Sequence, residues 1–140
     1  MFKVLCLFLT CLVFPTMSIP IEKINLEDYI NSFSWDKRIV LLIINESHVN
    51  VMSETDEFFA SNSCENESRN LEYIRIVGDD INKYAIPARY KNKYGIWLIG
   101  YDGADKSYSA DASLLKKIHN IIDAMPIRQT EMAEQDKQCK

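Results

Sequence analysis

Four charged residues in the C-terminal half of the chain have side chains of the kind that bind anions. Asp102 and Lys106 flank a glycine-containing turn, and Asp123 and Arg128 lie on either side of a proline. Arginine binds a carboxylate or a phosphate through two parallel hydrogen bonds, and lysine adds a point charge. One interpretation is that Arg128 is exposed and forms a small-anion or partner-binding site with the other three residues.

The same residues also have a structural interpretation, which is the simpler one. Pro126 ends the preceding apolar helix, because proline lacks an amide donor and excludes the helical conformation for the residue before it. The chain can then fold back, so that the Arg128 guanidinium meets a carboxylate such as that of Asp123 or the free carbonyl groups of the last turn. In that case Arg128 stabilises the fold and is not a binding residue.

A histidine at position 48 is the remaining candidate for catalysis. His48 is flanked by Glu46 and Ser47, and a histidine close to a carboxylate and a hydroxyl can act as a general base. Neighbours in sequence do not establish a triad, and a solvated loop histidine is the simpler interpretation. His119 is predicted to lie at the surface of the last helix, and neither CxxC nor HxxxH spacing occurs. We therefore predict no catalytic residue, no metal site and no cofactor.

The first eighteen residues are typical of a secretory signal peptide. Lys3 precedes an apolar run at residues 4–14, which is followed by a proline and by small residues up to Ser18. The run is too short to cross a bilayer as a helix, which needs about 20 residues. We expect cleavage near Ser18, a mature chain of residues 19–140 without a transmembrane segment, and a location in the periplasm or outside the cell.

Two cysteines, Cys64 and Cys139, would remain after this cleavage. In an oxidising compartment they can form a disulfide that ties the tail to the middle of the chain. Alternatively, Cys139 belongs to a frayed tail and the two thiols never meet. Geometry decides between these two cases, and the sequence does not supply it.

The charge balance argues against one class of partner. Removal of Lys3 with the signal peptide takes the formal net charge from −4 to −5. Nucleic acids require a basic surface for their phosphates. The one basic cluster, at residues 89–94, is more typical of a solvated surface than of a binding patch. We therefore expect no nucleic acid partner.

Hydrophobic periodicity predicts alternating helices and strands. Residues 38–44 form a continuous apolar and β-branched run, which is typical of a strand buried on both faces, whereas residues 61–70 are polar and turn-like. In order, we predict a helix capped by Asn25 and leading to Trp35, strand 38–44, helix 51–60, strand 71–77, helix 85–94, strand 96–99, strand 106–109, and helix 114–125 capped by Ser109 or Asp111.

This order of elements predicts a single α/β domain, and the family resemblance described below places its core at about residues 26–132. A thioredoxin-like fold has this layout: a β-α-β unit, then a connecting helix, then a β-hairpin closed by a final helix. We therefore expect a three-layer α/β/α sandwich with a central mixed four-stranded sheet. The chain is long enough for one hydrophobic core and too short for two to be expected.

Three segments carry a family resemblance: Trp35-Asp-Lys-Arg38, Leu98-Ile-Gly-Tyr-Asp-Gly-Ala-Asp-Lys106 and Ile122-Asp-Ala-Met-Pro-Ile-Arg-Gln-Thr-Glu-Met132. They resemble the domain of unknown function 4174 family, over about residues 26–132. The family's thioredoxin-like domain is found in exported bacterial proteins and in secreted vertebrate matrix proteins of the sushi-repeat and coiled-coil-domain-containing-80 type. The resemblance implies a domain that binds an unknown protein or a component of the envelope or matrix.

The chain departs from the family pattern in the hairpin. Where the family usually has Lys-Asp-Gly-Gly-x-Lys, residues 101–106 read Tyr-Asp-Gly-Ala-Asp-Lys. One positive charge beside the turn is lost, which weakens the case for anion binding there.

A thioredoxin-like fold raises the question of redox chemistry. That chemistry needs a thiolate after the first sheet strand, stabilised by a helix N-terminus. The corresponding segment, residues 45–50, contains no sulfur, and Cys64 is predicted near the far end of the following helix, where the dipole opposes ionisation. We expect a non-catalytic binding or interaction module without a CxxC motif. The alternatives are a redox or peroxiredoxin-like enzyme that uses Cys64 and a hydrolase that uses His48.

Overall fold

The computed structural model describes residues 14–135 and 139. Residues 1–13, most of the predicted signal peptide, lie outside this range. Within it, no helix has the length and apolar character needed to cross a membrane. The elements in chain order are β1 (Ile24–Asn25), α1 (Leu26–Asn31), β2 (Arg38–Ile44), α2 (Val49–Ser61), α3 (Ser63–Ser68), β3 (Leu71–Val77), a 3₁₀ helix (Gly78–Lys83), β4 (Tyr84–Ala85), β5 (Gly95–Ile99), β6 (Asp105–Ser109), a second 3₁₀ helix (Ala112–Lys116), α4 (Ile118–Asp123) and α5 (Pro126–Glu134).

Strand β2 is central to the sheet, and every residue in it is buried. It pairs in parallel with β3 and in antiparallel with β5, and β5 pairs in antiparallel with β6. The resulting sheet has four strands in the order β3-β2-β5-β6, while β1 and β4 form a separate parallel pair. The predicted α/β class and the central mixed four-stranded sheet are therefore confirmed.

Helices pack on both faces of the sheet, because alternate side chains of a strand point to opposite sides. On one face, Val40, Leu42 and Ile44 share an apolar cluster with residues of α4, β5 and the second 3₁₀ helix, and α2 packs against this cluster. On the other face, the intervening β2 residues pack with Leu26 and Ile30 of α1. Each fully buried Leu or Ile stabilises the fold by about 1.5–3 kcal/mol, so the two clusters hold the helices in place.

Two helix starts follow the capping chemistry predicted from the sequence. The Asn25 side chain accepts a hydrogen bond from the backbone N–H of Asp28 at 3.2 Å, at the start of α1. Asp111 accepts a hydrogen bond from the N–H of Ser113 at 2.9 Å, at the start of the second 3₁₀ helix. Both caps satisfy backbone donors that would otherwise have no partner in the first turn.

Residues 61–70 contain the helix α3, so the prediction of a turn there was wrong. The α3 sequence has no apolar periodicity, and the helix is held by polar contacts and by the disulfide of Cys64. Oδ1 of the buried Asn66 lies 2.7 Å from Nε2 of His119 in α4, and Arg69 donates to the carbonyl of Glu65 at 2.9 Å. His119 is half-buried rather than at the surface, and this burial lowers the pKa of its imidazole.

The prediction of a helix at residues 85–94 was also wrong. Tyr84–Ala85 is the strand β4, and a single turn follows it, in which the N–H groups of Tyr90 and Lys91 bond the carbonyl of Pro87. Asn92 has a φ of +58°, in the left-handed region, which a right-handed helix cannot continue through. The chain therefore reaches β5 through turns.

The predicted last helix is divided into two elements. Lys117, with φ −124° and ψ −1°, separates the second 3₁₀ helix from α4, although Leu114 and Ile118 on either side are buried as expected. Pro126 follows the end of α4 as predicted. It is also the first residue of α5, which was not predicted, because proline is well suited to the first turn of a helix.

Cys64 of α3 and Cys139 are joined by a disulfide, with Cα atoms 5.9 Å apart. Of the two possibilities for these cysteines, the structure shows the pairing. Cys64 lies three residues after the end of α2, so it is near the far end of the helix that follows β2, as predicted. It belongs to the first turn of a separate short helix, α3. The bond ties the tail to α3 across a sequence separation of 75 residues.

We predict that a Cys64→Ser/Cys139→Ser variant has a free energy of unfolding lower by roughly 2–4 kcal/mol, because a long closed loop restricts the unfolded chain. Urea denaturation monitored by far-UV circular dichroism measures this difference. The unsubstituted protein unfolded in dithiothreitol is the control and should match the variant. An unchanged midpoint in both cases would contradict the prediction.

Candidate functional site

A cavity of about 150 Å³ lies at the start of β2, beside the β5–β6 turn and the connection between α4 and α5. We call it the Arg38 cavity. Its lining combines the charged residues Arg38, Asp102 and Lys106 with the apolar side chains of Trp35 and Ile127. The remaining lining residues are Gly100, Tyr101, Met125 and Pro126. Two of the four predicted binding residues, Asp102 and Lys106, therefore lie at this cavity.

Arg38, the first residue of β2, has a side chain that is only 1% exposed. Its Nη1 donates to the carbonyl of Arg69 at 2.8 Å, to the hydroxyl of Tyr101 at 3.1 Å and to Oε2 of Glu131 at 3.1 Å. Its Cζ lies 4.0 Å from the centre of the Tyr101 ring, a cation–π arrangement. Nε and Nη2 are buried and have no acceptor among the described residues. Such donors are rare in folded proteins, because leaving them unpaired costs free energy.

Asp123 is the acceptor for two other buried arginines. Arg69 binds it through two bonds, from Nε to Oδ1 at 3.0 Å and from Nη2 to Oδ2 at 2.7 Å. Arg128 donates from Nε to Oδ1 of Asp123 at 3.2 Å and from Nη1 to the carbonyl of Ser68 at 2.6 Å. Arg128 is buried, so it has the structural contacts of the second interpretation and not the exposure that the first required. The carbonyl that it meets belongs to α3, not to the last turn of α4.

Glu131 of α5 connects Arg38 with Arg128. Its Oε1 accepts a hydrogen bond from the Tyr101 hydroxyl at 2.5 Å, and its Oε2 lies 3.4 Å from Nη1 of Arg128. Nδ2 of Asn70 donates to the same hydroxyl at 2.9 Å. The Arg38 cavity is therefore backed by a continuous polar network that reaches β2, α3, α4 and α5.

We call this network the arginine cluster and define it as Arg38, Arg69, Arg128, Asp123 and Glu131. Its three guanidinium groups are buried, while the side chains of Asp123 and Glu131 are 28% and 19% exposed. A further carboxylate, that of Glu65, lies 2.6 Å from Arg69 and is more exposed, at 42%. The buried part of the cluster thus contains one more positive than negative charge.

The arginines keep both cluster carboxylates ionised. Burial by itself would raise the pKa of Asp123. The hydrogen bonds from Arg69 and Arg128 outweigh this effect, so the pKa lies below the usual 3.8. Burial would likewise raise the pKa of Glu131, and the bonds from Tyr101 and Arg38 bring it below the usual 4.5. Both groups are therefore charged throughout the physiological pH range.

Lys106 and Asp102 form their own ion pair at the mouth of the cavity. Nζ of Lys106 lies 2.8 Å from Oδ2 of Asp102, and Oδ1 of Asp102 accepts from the N–H of Ala104 at 3.1 Å. The hydrogen bond from Lys106 lowers the pKa of the Asp102 carboxyl. Among the described residues, no hydrogen bond or ion pair joins Asp102 or Lys106 to Asp123 or Arg128, so the two pairs are separate.

Trp35 is a site residue that the sequence prediction missed. Its side chain is 70% exposed, although tryptophan is usually well buried. Its φ is +65°, a left-handed conformation that is uncommon for a bulky residue, and its N–H bonds the carbonyl of Tyr101 at 2.9 Å. Non-glycine residues in this conformation often lie at functional sites. The signal in the sequence was the family motif that begins at Trp35.

The two catalytic candidates have different surroundings. Nδ1 of His48 lies 2.5 Å from Oδ1 of Asn45 and 3.3 Å from Oγ of Ser47, and none of its hydrogen-bond partners among the described residues is a carboxylate. The sulfur of Cys64 is bonded to Cys139. In the part of the chain that the structure describes, no three His, Cys, Asp or Glu side chains are grouped to hold a metal ion.

We predict that Asp123→Asn lowers the free energy of unfolding by roughly 3–5 kcal/mol, because it removes the carboxylate that two buried guanidinium groups share. Arg69 then keeps only the half-exposed Glu65 as a charged acceptor, and Arg128 keeps only the longer contact with Glu131. Urea denaturation at neutral pH measures this change. Asp80→Asn is a suitable control, because Asp80 forms an exposed pair with Lys83. The prediction is wrong if the two variants unfold at the same urea concentration.

The lowered pKa values also predict how stability depends on pH. As the pH falls, Asp123 and Glu131 take up protons in the unfolded chain before they do so in the folded protein. Their contribution to stability is present above the unfolded values of 3.8 and 4.5 and is lost as the pH falls through the lower folded values. Urea denaturation between neutral pH and about pH 3 should show this loss. Asp123→Asn should show a smaller decrease, and an equal decrease would contradict the assignment.

The comparisons with known proteins identify a family. The family model described as Domain of unknown function (DUF4174) matches residues 29–131, which is more than half of the chain. No curated protein and no solved structure matches the chain. Arg38 lies near the start of the matched range, and Glu131 is its last residue. The chain therefore belongs to the DUF4174 family.

Proposed function

We propose that the protein is an exported, non-catalytic binding module and that the Arg38 cavity is its binding site. The observation that carries this proposal is the pair of buried Arg38 nitrogens, Nε and Nη2, without an acceptor among the described residues. They belong to a residue that lines an open cavity beside the exposed Trp35. Its partner is a protein or a component of the envelope or the extracellular matrix.

Two features support export to the periplasm or the cell exterior. Residues 1–18 have the pattern of a signal peptide removed near Ser18. The Cys64–Cys139 pair is joined in a disulfide, and such bonds persist in oxidising compartments and are rare in the cytosol.

A thioredoxin-like skeleton is the second part of the proposal. The parallel unit β2-α2-β3 is followed by the antiparallel hairpin β5-β6 and then by α4. This is the layout expected for a thioredoxin-like sheet. The connection between β3 and β5 consists of a 3₁₀ helix, β4 and turns, where a helix was expected.

The surroundings of the catalytic candidates support binding over enzymatic activity. The loop between β2 and α2, where a thioredoxin places its thiolate, contains His48 and no cysteine. A redox enzyme that uses Cys64 would have to work from a sulfur that is bonded to Cys139. A hydrolase that uses His48 would have to work with an amide oxygen, that of Asn45, in place of an orienting carboxylate.

We predict that Trp35→Ala removes partner binding while the protein stays folded, because the Trp35 side chain is exposed and belongs to no core cluster of the described residues. The measurement is quantitative capture of partners from an envelope or extracellular fraction with the mature chain, residues 19–140. Val49→Ala is the matched control, because Val49 is also exposed and apolar but lies at the other end of β2.

An unchanged set of partners for Trp35→Ala would contradict the assignment of this surface. An insulin-reduction assay with dithiothreitol tests the non-catalytic part separately. An acceleration by the protein that is lost in Cys64→Ser would favour the redox alternative.

A further inference from the structure

We infer that the Arg38 cavity binds a ligand with one carboxylate attached to a small apolar group, and that Nε and Nη2 of Arg38 hold this carboxylate. The inference rests on the proposed binding function and assigns the ligand chemistry of the same site. Three independent features of the structure lead to it: the hydrogen-bonding geometry of Arg38, the charge of the arginine cluster, and the size and lining of the cavity.

The hydrogen-bonding geometry comes from a comparison of two arginines within the molecule. Nε and Nη2 lie on one edge of the guanidinium, and their N–H groups are parallel, which matches the two oxygens of a carboxylate. Arg69 uses this edge to bind Asp123, with Nε–Oδ1 3.0 Å and Nη2–Oδ2 2.7 Å. In Arg38, the same two atoms have no acceptor among the described residues. A carboxylate on this edge would give Arg38 the pairing that Arg69 already has.

The charge of the arginine cluster indicates a single negative charge on the ligand. Three buried guanidinium groups face two cluster carboxylates, and the half-exposed Glu65 carboxylate pairs with Arg69 and not with Arg38. Lys106 is paired with Asp102 at 2.8 Å, so this pair adds no net charge at the cavity mouth. One anionic charge balances the cluster, whereas a dianion such as phosphate leaves one charge without a partner. A cation is repelled.

The cavity also has the size and lining for a small apolar group. Its volume is about 150 Å³, and a dry apolar cavity of similar size is known to hold one benzene molecule. Trp35, Met125, Pro126 and Ile127 form the apolar part of the lining. Trp35 and Ile127 are exposed, so an apolar group that packs on them removes their surface from water.

Two sources can supply this chemistry: a free small carboxylic acid, or the C-terminal residue of a peptide with an apolar side chain. Both present one carboxylate next to a small apolar group. The arms of the experiment distinguish them, because the acid probe has no peptide chain and the peptide probe extends out of the cavity.

The test is isothermal titration calorimetry of the mature chain, residues 19–140, with four probes. For the free acid, phenylacetate is compared with phenylacetamide. For the peptide, acetyl-Gly-Gly-Phe with a free C-terminal carboxylate is compared with the same peptide carrying a C-terminal amide. We expect at least one acid to bind and its amide to bind roughly tenfold to a hundredfold more weakly, which is the usual effect of losing a charged hydrogen bond. The fluorescence of the exposed Trp35 should change when the acid binds. The second tryptophan, Trp97, is buried, so its fluorescence should stay constant.

Two variants assign the binding to the site. Arg38→Lys keeps the positive charge but removes the parallel donors, so it should weaken acid binding and reduce the difference in affinity between acid and amide. Because Nη1 of Arg38 also has structural partners, a thermal melt must show that this variant folds. Trp35→Ala does not depend on that condition, since its side chain is exposed, and it should weaken the binding of acid and amide alike.

Three results would overturn the inference. The first is equal affinity for acid and amide, and the second is inorganic phosphate that binds as tightly as the acids. The third is that neither acid binds at millimolar concentration. If partner capture still depends on Trp35 while both acids fail to bind, this inference is wrong and the proposed binding function stands. If Trp35→Ala changes neither capture nor acid binding, both are wrong.

Discussion

The structure depends on the burial of three arginine side chains, which are paired with the carboxylates of Asp123 and Glu131 and with the more exposed carboxylate of Glu65. A buried guanidinium must be hydrogen-bonded, because its charge and its donors are costly to remove from water. Asp123 meets this requirement for Arg69 and Arg128, and Glu131 contributes to Arg38 and Arg128. The C-terminal helix α5 is fixed to the rest of the domain by these bonds, since its sequence is largely polar and supplies little apolar surface of its own.

The arginine cluster and the candidate binding site share one residue. Nη1 of Arg38 belongs to the structural network, while Nε and Nη2 have no acceptor among the described residues. The fold uses the bonds of Nη1, whereas the two donors without an acceptor cost free energy and contribute no bond to the described part of the structure. A residue that stabilises the domain through one nitrogen, lines a cavity and has two further donors without a described acceptor is well suited to binding, because its position is already fixed before a ligand arrives.

The proposed binding site lies away from the loop where a thioredoxin-like enzyme would hold its thiolate. The cavity lies where β2 begins, at Arg38, whereas the loop that would hold a thiolate follows the end of β2 and contains His48. Seven strand residues separate the two ends, a distance of roughly 20 Å. The site proposed for this member of the DUF4174 family is therefore a separate surface of the domain and not an altered thioredoxin active site.

The sequence alone determined the elements that depend on local pattern: the buried strand β2, the cap at Asn25, the hairpin after Ile99 and the break at Pro126. These follow from apolar periodicity and from backbone preferences that act over a few residues. Tertiary structure decided the helix α3, which has polar partners distant in the chain, and the partners of Arg38, since Glu131 lies 93 residues away. It also decided that Arg128 is buried and that the two cysteines meet. Such contacts exist only after the chain has folded, so no local pattern in the sequence records them.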